Sequence, residues 1–314
     1  MGAGDHIGTA VATLLRACAC AFAFAVSAAS AGDYALERVA PGVYVHPGRH
    51  LGIEDPQRDD IANVGFVVGE RCVAVIDSGG SVAAGRRLRE AIRGVTGHPV
   101  CFVINTHGHF DHVLGNAAFL ADRPKFVGHR RLGEVAAANR AFFARDFGTE
   151  LGELGADAVI APDVQVDDVL ELDLGGRALR LEAVADAHSS QDLVVFDTAT
   201  GTLWTGDLVF MERLPALDGN LRGWIAVLDR LTKMQAARIV PGHGPANAPW
   251  PQAADDTQRY LRALLADCRA AIAAGVFVED AAERVAVAER SHWQLFDEVH
   301  GRNVLRAWKE LEWE

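Results

Sequence analysis

Three histidines and an aspartate are crowded into NTHGHFDHVLGN, residues 105–116. In an extended segment side chains alternate in direction, so His107 and His109 can point the same way and bind one metal ion. Asp111 and His112 come after a turn and would face a different point. The spacing of these four side chains therefore predicts two metal ions rather than one.

The residues that precede this segment, VCFVIN (100–105), are apolar and rich in branched and aromatic side chains, as in a strand covered on both faces. Open α/β sheets place ligands beyond the carboxyl ends of their strands. His188 and His243 also follow predicted strands, and Asp207 ends another. An imidazole can complete the ligand set of a metal, and a carboxylate with two oxygens can touch two ions. We expect these three side chains to join the cluster.

The pattern of apolar residues predicts alternating helices and strands in the first half of the chain and mostly strands after Pro162. Gly175-Gly176 and Thr200-Gly201 are typical of hairpin turns between the later strands. Two α/β halves that face each other would form a four-layer αββα sandwich, which is the α/β fold that we expect. The predicted strands lie near 43–45, 64–68, 71–77, 100–105, 169–174, 178–184, 192–197 and 201–207, and the predicted helices near 82–93, 113–121, 130–146, 223–234, 253–274 and 281–312.

Composition and charge exclude several classes of protein. Half of the 314 residues are hydrophobic and 31 are glycine, which indicates a packed globule with many turns rather than a disordered or repeat protein. The formal net charge of −12 argues against binding to a phosphate backbone, which needs clustered lysine and arginine. We therefore expect a small-molecule substrate and no nucleic-acid partner.

The first 31 residues have the features of a secretory signal peptide. Arg16 precedes the apolar run ACACAFAFAV, and the small-x-small pattern Ala29-Ser30-Ala31 follows it. A membrane anchor needs ~20 apolar residues, so this run predicts no stable membrane anchor. We expect a periplasmic or secreted protein in which residues 32–314 form one domain with a helical C-terminal tail.

Three cysteines follow the predicted signal peptide, namely Cys72, Cys101 and Cys268. An odd number cannot form a complete disulfide framework. Cys72 and Cys101 both lie near the starts of predicted strands and would pair if those strands are neighbours. Because free cysteine is among the most buried residue types, the sequence favours small buried hydrophobic residues over a disulfide.

Five motifs at predicted strand ends occur in an order that resembles the metallo-β-lactamase superfamily, and the resemblance spans most of residues 32–314. It implies the αββα fold of that family and a binuclear zinc site. The motifs are VAVIDSGG with Asp77, HGHFDH, the turn of His188, TGD with Asp207 and PGHG with His243.

The resemblance also implies a role for each residue of the site. Zinc accepts imidazole nitrogen and carboxylate oxygen at ~2.0–2.2 Å, although iron or manganese also fits such donors. A hydroxide that bridges two ions ~3.5–4 Å apart would attack a carbonyl or ester carbon, with Asp111 orienting it and Asp77 orienting a ligand. One zinc would be held by His107, His109 and His188 and the other by Asp111, His112 and His243, with Asp207 bridging them.

Asp207 separates this chain from true metallo-β-lactamases, which generally have a cysteine or serine at that position. A bridging aspartate is similar to glyoxalase II and other thioester or ester hydrolases. Glyoxalase II, however, recognises glutathione through basic residues in a helical tail, whereas residues 278–301 here are mainly acidic. A glyoxalase II-like thioester hydrolase and a β-lactamase therefore remain as alternatives.

Three segments, 105–119, 205–231 and 238–245, look most like the quinoprotein relay system zinc metallohydrolases, exported proteins associated with quinone-dependent dehydrogenases. LPALDGNLRGW, which follows Asp207 within the second segment, would form a wall of the pocket. Its candidate substrate contacts are Asp218 and Arg222. For Arg222, packing on the core is an equally favoured role, and for Trp224 packing on the core is preferred to substrate contact.

The sequence as a whole predicts an exported binuclear zinc metallohydrolase that cleaves an ester, thioester or lactone-like bond and has a functional link to a quinoprotein dehydrogenase. Two alternatives come from other classes of protein. One is a non-catalytic metal-binding accessory protein, which would not need an open position for water. The other is an iron-dependent oxidoreductase on the same scaffold, although the chain lacks the altered ligands or added flavin domain of such proteins.

Overall fold

The computed structural model describes residues 34–184 and 186–314, together with Met1. The predicted signal peptide lies outside the described residues, apart from Met1. Residues Tyr34–Glu314 form one compact unit built on two β-sheets. Among the described helices, none combines the length and apolar content needed to cross a membrane.

The first sheet contains seven strands whose spatial order follows the sequence. The first four strands pair antiparallel, and the fourth to the seventh pair parallel. Parallel pairing brings the carboxyl ends of neighbouring strands to one edge, where the segment of residues 105–116 begins. The strands are β1 (Glu37–Ala40), β2 (Val43–His46), β3 (Val64–Val68), β4 (Val73–Ile76), β5 (Val100–Ile104), β6 (Lys125–His129) and β7 (Val164–Val166).

The second sheet contains five strands, and four of them form antiparallel neighbours in sequence order. The last strand returns to pair parallel with the one before it, after a helical connection. The strands are β8 (Val169–Asp173), β9 (Ala178–Val184), β10 (Asp192–Asp197), β11 (Thr202–Phe210) and β12 (Arg238–His243). Asp207 lies inside β11 rather than at its end, because the apolar residues Leu208–Phe210 continue the strand and Phe210 pairs with His243.

The described chain contains eight α-helices and several short 3₁₀ turns, and the last three α-helices follow the last strand. Ser81 begins the first helix by accepting a hydrogen bond from Ala84 N–H at 2.9 Å, and Asn220 begins the fifth in the same way at Gly223 N–H. The α-helices are α1 (Val82–Val95), α2 (Phe110–Val113), α3 (Leu132–Asp146), α4 (Gly148–Leu151), α5 (Leu221–Leu231), α6 (Asp255–Ala273), α7 (Val278–Ala281) and α8 (Phe296–Leu311).

Alternating side chains on the strands divide the apolar core into three layers. Val67 of β3 and Val195 of β10 lie between the sheets, in a cluster that draws on both of them. Phe66, the neighbour of Val67, points the other way and joins Leu88 of α1. Leu203 of β11 belongs to the cluster formed with α5, α6 and α8. The order is helix, sheet, sheet, helix, so the predicted αββα sandwich is confirmed.

Two predicted helices differ from the structure. The predicted helix over 113–121 is the short α2 followed by a 3₁₀ turn at Asn116–Asp122. The tail predicted to be helical over 281–312 is interrupted before α8, where Leu295 has a left-handed φ of 58°. Gln294 explains the break, because its N–H donates to Glu212 O at 2.7 Å and its carbonyl accepts from Leu214 N–H at 3.0 Å. Tertiary contacts therefore use the backbone groups that a continuous helix would need.

Cys72 and Cys101 form a disulfide, with Cα atoms 5.8 Å apart. The favoured prediction, that these two residues are unpaired, is therefore wrong. The parallel pairing of β4 with β5 aligns Val73 with Val100 and so makes the two cysteines neighbours. That register depends on contacts across the sheet, which cysteine spacing along the chain does not reveal. Cys268 is free and buried.

We predict that reduction of this disulfide lowers the free energy of unfolding by about 2–4 kcal/mol, because the reduced unfolded chain regains conformational freedom. Urea unfolding followed by circular dichroism, with and without dithiothreitol, measures the difference. The double variant Cys72→Ala/Cys101→Ala is the control and should not respond to dithiothreitol. An unchanged unfolding midpoint for the reduced wild-type protein would contradict the prediction.

Candidate metal centre

Seven histidine and aspartate side chains converge from the segments after β5 and β9, from inside β11 and from the last residue of β12. They form two groups, and in each group one ligand atom per residue lies within 4.8 Å of the others. The structure thus brings together all seven side chains that the sequence singled out. The first group consists of His107, His109, His188 and Asp207, and the second of Asp111, His112 and His243.

The first group surrounds a single point. His109 Nδ1 lies 3.0 Å from His107 Nε2 and 3.0 Å from His188 Nε2. Asp207 Oδ2 lies 3.6 Å from His107 Nε2 and 3.5 Å from His188 Nε2. Donors at ~2.0–2.1 Å from a tetrahedral zinc are roughly 3.3–3.4 Å apart, so these four atoms have suitable spacing for one ion.

The second group shares Asp207 with the first. Asp111 Oδ2 lies 3.6 Å from His112 Nε2 and 3.5 Å from His243 Nε2. Asp207 Oδ2 lies 3.3 Å from His243 Nε2, and Asp207 Oδ1 lies 3.2 Å from His112 Nε2. One carboxylate therefore reaches donors of both groups, as a bridging ligand must.

Glycines beside Asp207 make this arrangement possible. A Cβ added to Gly242 of β12 would collide with Asp207 Oδ1, and one added to Gly206 would collide with the side chain of Thr106. Gly206 also has a φ of 49°, which L side chains rarely adopt. The glycines of the TGD and PGHG motifs thus allow two strands and the segment after β5 to approach closely around one carboxylate.

Backbone carbonyls orient two of the histidines. His188 Nδ1 donates to Ala216 O at 2.7 Å, and His243 Nδ1 donates to Ile61 O at 2.7 Å. Donation from Nδ1 leaves the lone pair on Nε2, which in both residues is the nitrogen that faces the cluster. These carbonyls therefore select the tautomer that can bind a metal.

Carboxylates orient two further histidines. Asp77 Oδ2 accepts from His112 Nδ1 at 2.8 Å, and Asp218 Oδ2 contacts His109 Nε2 at 3.0 Å. Thr106 holds Asp77 in turn, through its N–H at 2.8 Å and its Oγ at 2.7 Å. The expected role of Asp77 as an orienting residue agrees with these contacts. Asp218 lies at the cavity as expected, but its closest partner is the ring of His109.

Burial sets the protonation of several of these groups. It lowers the pKa of His188 to about 4 and the pKa of His107 well below its usual value. Burial alone would raise the pKa of Asp207, but the surrounding imidazoles, those of His243 and His112 first, hold this pKa well below its usual range. A neutral imidazole and an ionised carboxylate are the forms that bind a metal.

Two buried atoms at the centre of the site have no hydrogen-bond partner among the described residues. They are His112 Nε2 and Asp207 Oδ1, which lie 3.2 Å apart without being aligned as donor and acceptor. A buried polar atom left without a partner costs about 1–3 kcal/mol. One metal ion bound by the second group would satisfy both atoms at once, and the first group offers ligands for another ion. This set of donors therefore fits a pair of divalent cations.

A cavity of about 280 Å³ opens above the two groups. Its floor includes His109, Asp111, Asp207 and His243. The remainder of its lining comes from the loop before β3, from the segments around α2 and α3, from the segment after Asp207, and from Leu295 and the first turns of α8. A small molecule in this cavity would lie directly over the metal ligands.

Arg222 does not line this cavity. Its guanidinium binds Glu310 of α8 at 2.9 Å and Glu314 at 2.8 Å, because the first turn of α5 faces the C-terminal helix. The prediction of Arg222 as a candidate substrate contact is corrected accordingly. Trp224 packs in the core, as preferred, with its Nε1 donating to Leu208 O at 2.9 Å and its ring edge against His188.

Sequence reasoning missed Thr106 and Arg213. Thr106 stands beside a predicted ligand, so its place before His107 was an available signal for a supporting role. Arg213 lies in the segment 205–231 and lines the cavity. Its position in the sequence does not distinguish it from Arg222, which lies in the same segment. Only the fold shows which of the two arginines turns inward.

Comparison with known proteins agrees with this geometry. Residues 58–243 match the family profile described as the Metallo-beta-lactamase superfamily, which is more than half of the chain. The chain therefore belongs to the metallo-β-lactamase superfamily, whose members are metal-dependent hydrolases. The resemblance to the superfamily is confirmed, whereas the likeness to the quinoprotein relay branch remains a prediction.

A linear primary-alkylsulfatase of Pseudomonas sp. (strain ATCC 19151) is 24% identical over an alignment of 207 positions that covers 54% of this chain and 39% of that protein. The chain thus spans less than half the length of this curated relative. Among solved structures, a metallo-beta-lactamase from Pontibacter korlensis superimposes with a TM-score of 0.60 at 20% identity, covering 73% of this chain and 98% of that one. TMB-1 gives a TM-score of 0.57 at 16% identity, covering 73% and 96%. At these identities the two structures show the shared fold alone.

We predict that Asp77→Asn weakens metal binding at the second group about 10- to 100-fold, because an asparagine NH₂ in place of Oδ2 cannot accept from His112 Nδ1. Competition with a chromogenic chelator measures the affinity, and circular dichroism checks that the fold is retained. Asp173→Asn, in the exposed end of β8, is the matched control and should bind as the wild type does. Wild-type affinity in Asp77→Asn would show that the Asp77 contact does not support the site.

Proposed function

We propose that the protein is an exported binuclear zinc metallohydrolase that cleaves an ester, thioester or lactone-like bond in a small molecule. The observation that carries this proposal is the position of Asp207, whose two oxygens reach both groups of ligands at the floor of one cavity. A structural metal site is closed, whereas a catalytic one keeps an accessible position for water or substrate. The cavity over the ligands supports the catalytic type.

The metals proposed for this site would supply an activated water and polarise the bond to be cleaved. His107, His109 and His188 would hold one ion, and the second group would hold the other, with Asp207 shared. Among these residues Asp111 lines the cavity and is in a position to orient the attacking water. This is why we propose a catalytic role for Asp111 in addition to ligation.

Zinc is the metal that we propose, because most of the donors are imidazole nitrogens and the others are carboxylate oxygens. Iron and manganese accept the same donors, so the metal of the purified protein is a quantity to be measured. The proposed pair of zinc ions would be found as two equivalents of zinc per chain.

Export rests on two independent features. The first is the signal-peptide pattern of residues 1–31, which would leave residues 32–314 as the secreted hydrolase domain with its helical tail. The second is the disulfide between Cys72 and Cys101, since disulfides persist mainly in oxidising compartments. We therefore propose a periplasmic or secreted location. The proposed link to a quinoprotein dehydrogenase rests on sequence resemblance alone.

Sulfate ester hydrolysis is a second candidate reaction. The similarity to a linear primary-alkylsulfatase brings an alkyl sulfate ester into the range of bonds to be tested, although it covers only part of that protein. β-Lactam cleavage is less favoured, because Asp207 replaces the cysteine or serine that such enzymes generally use. A glyoxalase II-like enzyme would instead cut a thioester bond.

We predict that the zinc-loaded protein hydrolyses at least one substrate from a panel of aryl esters, thioesters, lactones, an alkyl sulfate and β-lactams. A chelator should abolish turnover and added zinc should restore it, because the nucleophile depends on the metals. Elemental analysis of the same preparation gives the number and identity of the ions. Two bound metals without turnover of any substrate would favour the accessory-protein alternative, and a single bound ion would contradict the binuclear site.

We predict that Asp111→Asn lowers kcat by about 100-fold or more, since a positioned group that assists proton transfer contributes ~10²–10⁴-fold. Steady-state kinetics on the best substrate of the panel measures the loss, and metal content is determined for each preparation. Asp157→Asn, at an exposed site near α3, is the control and should keep the wild-type kcat. Full turnover by an Asp111→Asn protein that retains both metals would refute a catalytic role for Asp111.

A further inference from the structure

Arg213 presents a buried, unpartnered nitrogen in the wall of the cavity. Its Nη1 has no hydrogen-bond partner within residues 34–184 and 186–314, although the atom is shielded from solvent. A guanidinium stays charged in proteins, and a buried charged donor without a partner is costly. A buried polar group without a partner needs an explanation, and an anionic ligand in the cavity would satisfy this one.

The backbone on both sides of Arg213 is fixed. Arg213 pairs with Gln294 in an isolated β-bridge, which ties the segment after β11 to the segment before α8. Glu212 and Leu295, the residues next to this bridge, have left-handed φ values of 65° and 58°. Non-glycine residues in this conformation cluster at functional sites, where surrounding contacts hold them. Arg213 is therefore held at the cavity wall by backbone contacts from distant parts of the chain.

All but one of the carboxylates near Arg213 have other partners or are proposed metal ligands. Glu212 turns away to His50, with Oε2 and Nε2 3.0 Å apart. Asp111 and Asp207 attract the guanidinium, but the proposed function assigns both of them to metal ions. Asp218 contacts His109 at 3.0 Å and Arg302 at 3.8 Å. Glu298 of α8 also lines the cavity and attracts the guanidinium, but it makes no hydrogen bond to Arg213. With metals bound, Nη1 of Arg213 would therefore face the cavity without a hydrogen-bond partner from a carboxylate.

Another part of the cavity lining is apolar. Phe142, Phe143 and Phe147 line it, and Phe147 stacks on Phe110 with ring centroids 4.6 Å apart. Phe142 is 43% exposed although it is large and apolar, and its ring packs against those of Phe143 and Phe147. An apolar wall and a few placed polar groups are typical of small-molecule sites.

We propose that the cavity selects an amphiphilic substrate whose anionic group, a carboxylate or a sulfate-type group, binds Arg213 while its aryl or alkyl portion lies against the phenylalanine wall. This inference names the substrate class of the active site and rests on the proposed function for the reaction itself. The scissile bond lies between the two ends, over Asp111 and Asp207. The planar fork of Arg213 matches the paired oxygens of either anion.

The test measures binding rather than turnover, so that it succeeds or fails separately from the proposed hydrolysis. The probes are 4-phenylbutyrate, 4-phenylbutane-1-sulfonate and the neutral 4-phenylbutan-1-ol, titrated by calorimetry into the protein with its metals and into metal-depleted protein. We expect the better anion to bind about 10- to 100-fold more tightly than the alcohol, as a charge-assisted hydrogen bond provides. Removal of the metals should weaken this preference, because Asp111 and Asp207 then attract the guanidinium. The metal-loaded Arg213 variants below distinguish anion binding at Arg213 from anion binding to the metals.

Arg213→Met should remove the preference for anions, and Arg213→Lys should reduce it by losing the fork while keeping the charge. Arg222→Met is the matched control, because Arg222 belongs to the same segment but pairs with Glu310 and Glu314. The relative affinities of carboxylate and sulfonate identify which anion the site takes. Equal affinity for alcohol and anions, or a preference that survives in Arg213→Met, would overturn the proposal. If Arg213→Met does not fold, the wild-type ratio and its change in Arg213→Lys decide the question.

Discussion

The buried carboxylate of Asp207 is the constraint around which the site is organised. It lies within 3.6 Å of imidazole nitrogens from both groups of ligands, so the two groups form one site only because this side chain sits between them. A buried anion requires compensating positive charge or hydrogen bonds, and the fold places imidazoles on several sides of it. β11 carries Asp207 inside the strand, where glycines on β11 and β12 leave room for the carboxylate.

Hydrogen bonds behind the ligands hold four of the imidazoles in place. His188 and His243 are fixed by backbone carbonyls, whereas His112 and His109 are fixed by carboxylates. These partners come from separate segments of both halves of the fold. Because each imidazole already has its outer nitrogen occupied, little reorganisation is needed when an ion binds. A hydrolase of this superfamily benefits from such preorganisation, since the metals must be held while the substrate reacts.

The C-terminal region contributes to the cavity as well as to stability. The interruption before α8 allows Gln294 to pair with the backbone around Arg213, and α8 supplies Glu310 and Glu314 as partners of Arg222. The same region therefore turns one arginine toward the cavity and holds another away from it. This division places Arg213 in the lining of a cavity to which phenylalanine side chains also contribute, and it supports the proposed substrate with two unlike ends.

The sequence by itself determined which side chains are metal-ligand candidates, their order along the chain and the succession of helices and strands that forms the αββα layers. All of these depend on the spacing of residues close together in the sequence. His107, His109, Asp111 and His112 lie within six residues, and apolar periodicity placed most strands correctly. The tertiary structure alone decided which ring nitrogen faces the site, that Cys72 meets Cys101 across β4 and β5, and that Arg213 rather than Arg222 lines the cavity. Each of these depends on partners far away along the chain, 88 residues for Arg222 and Glu310. No local pattern encodes such contacts, because they arise only when sheets and helices pack together.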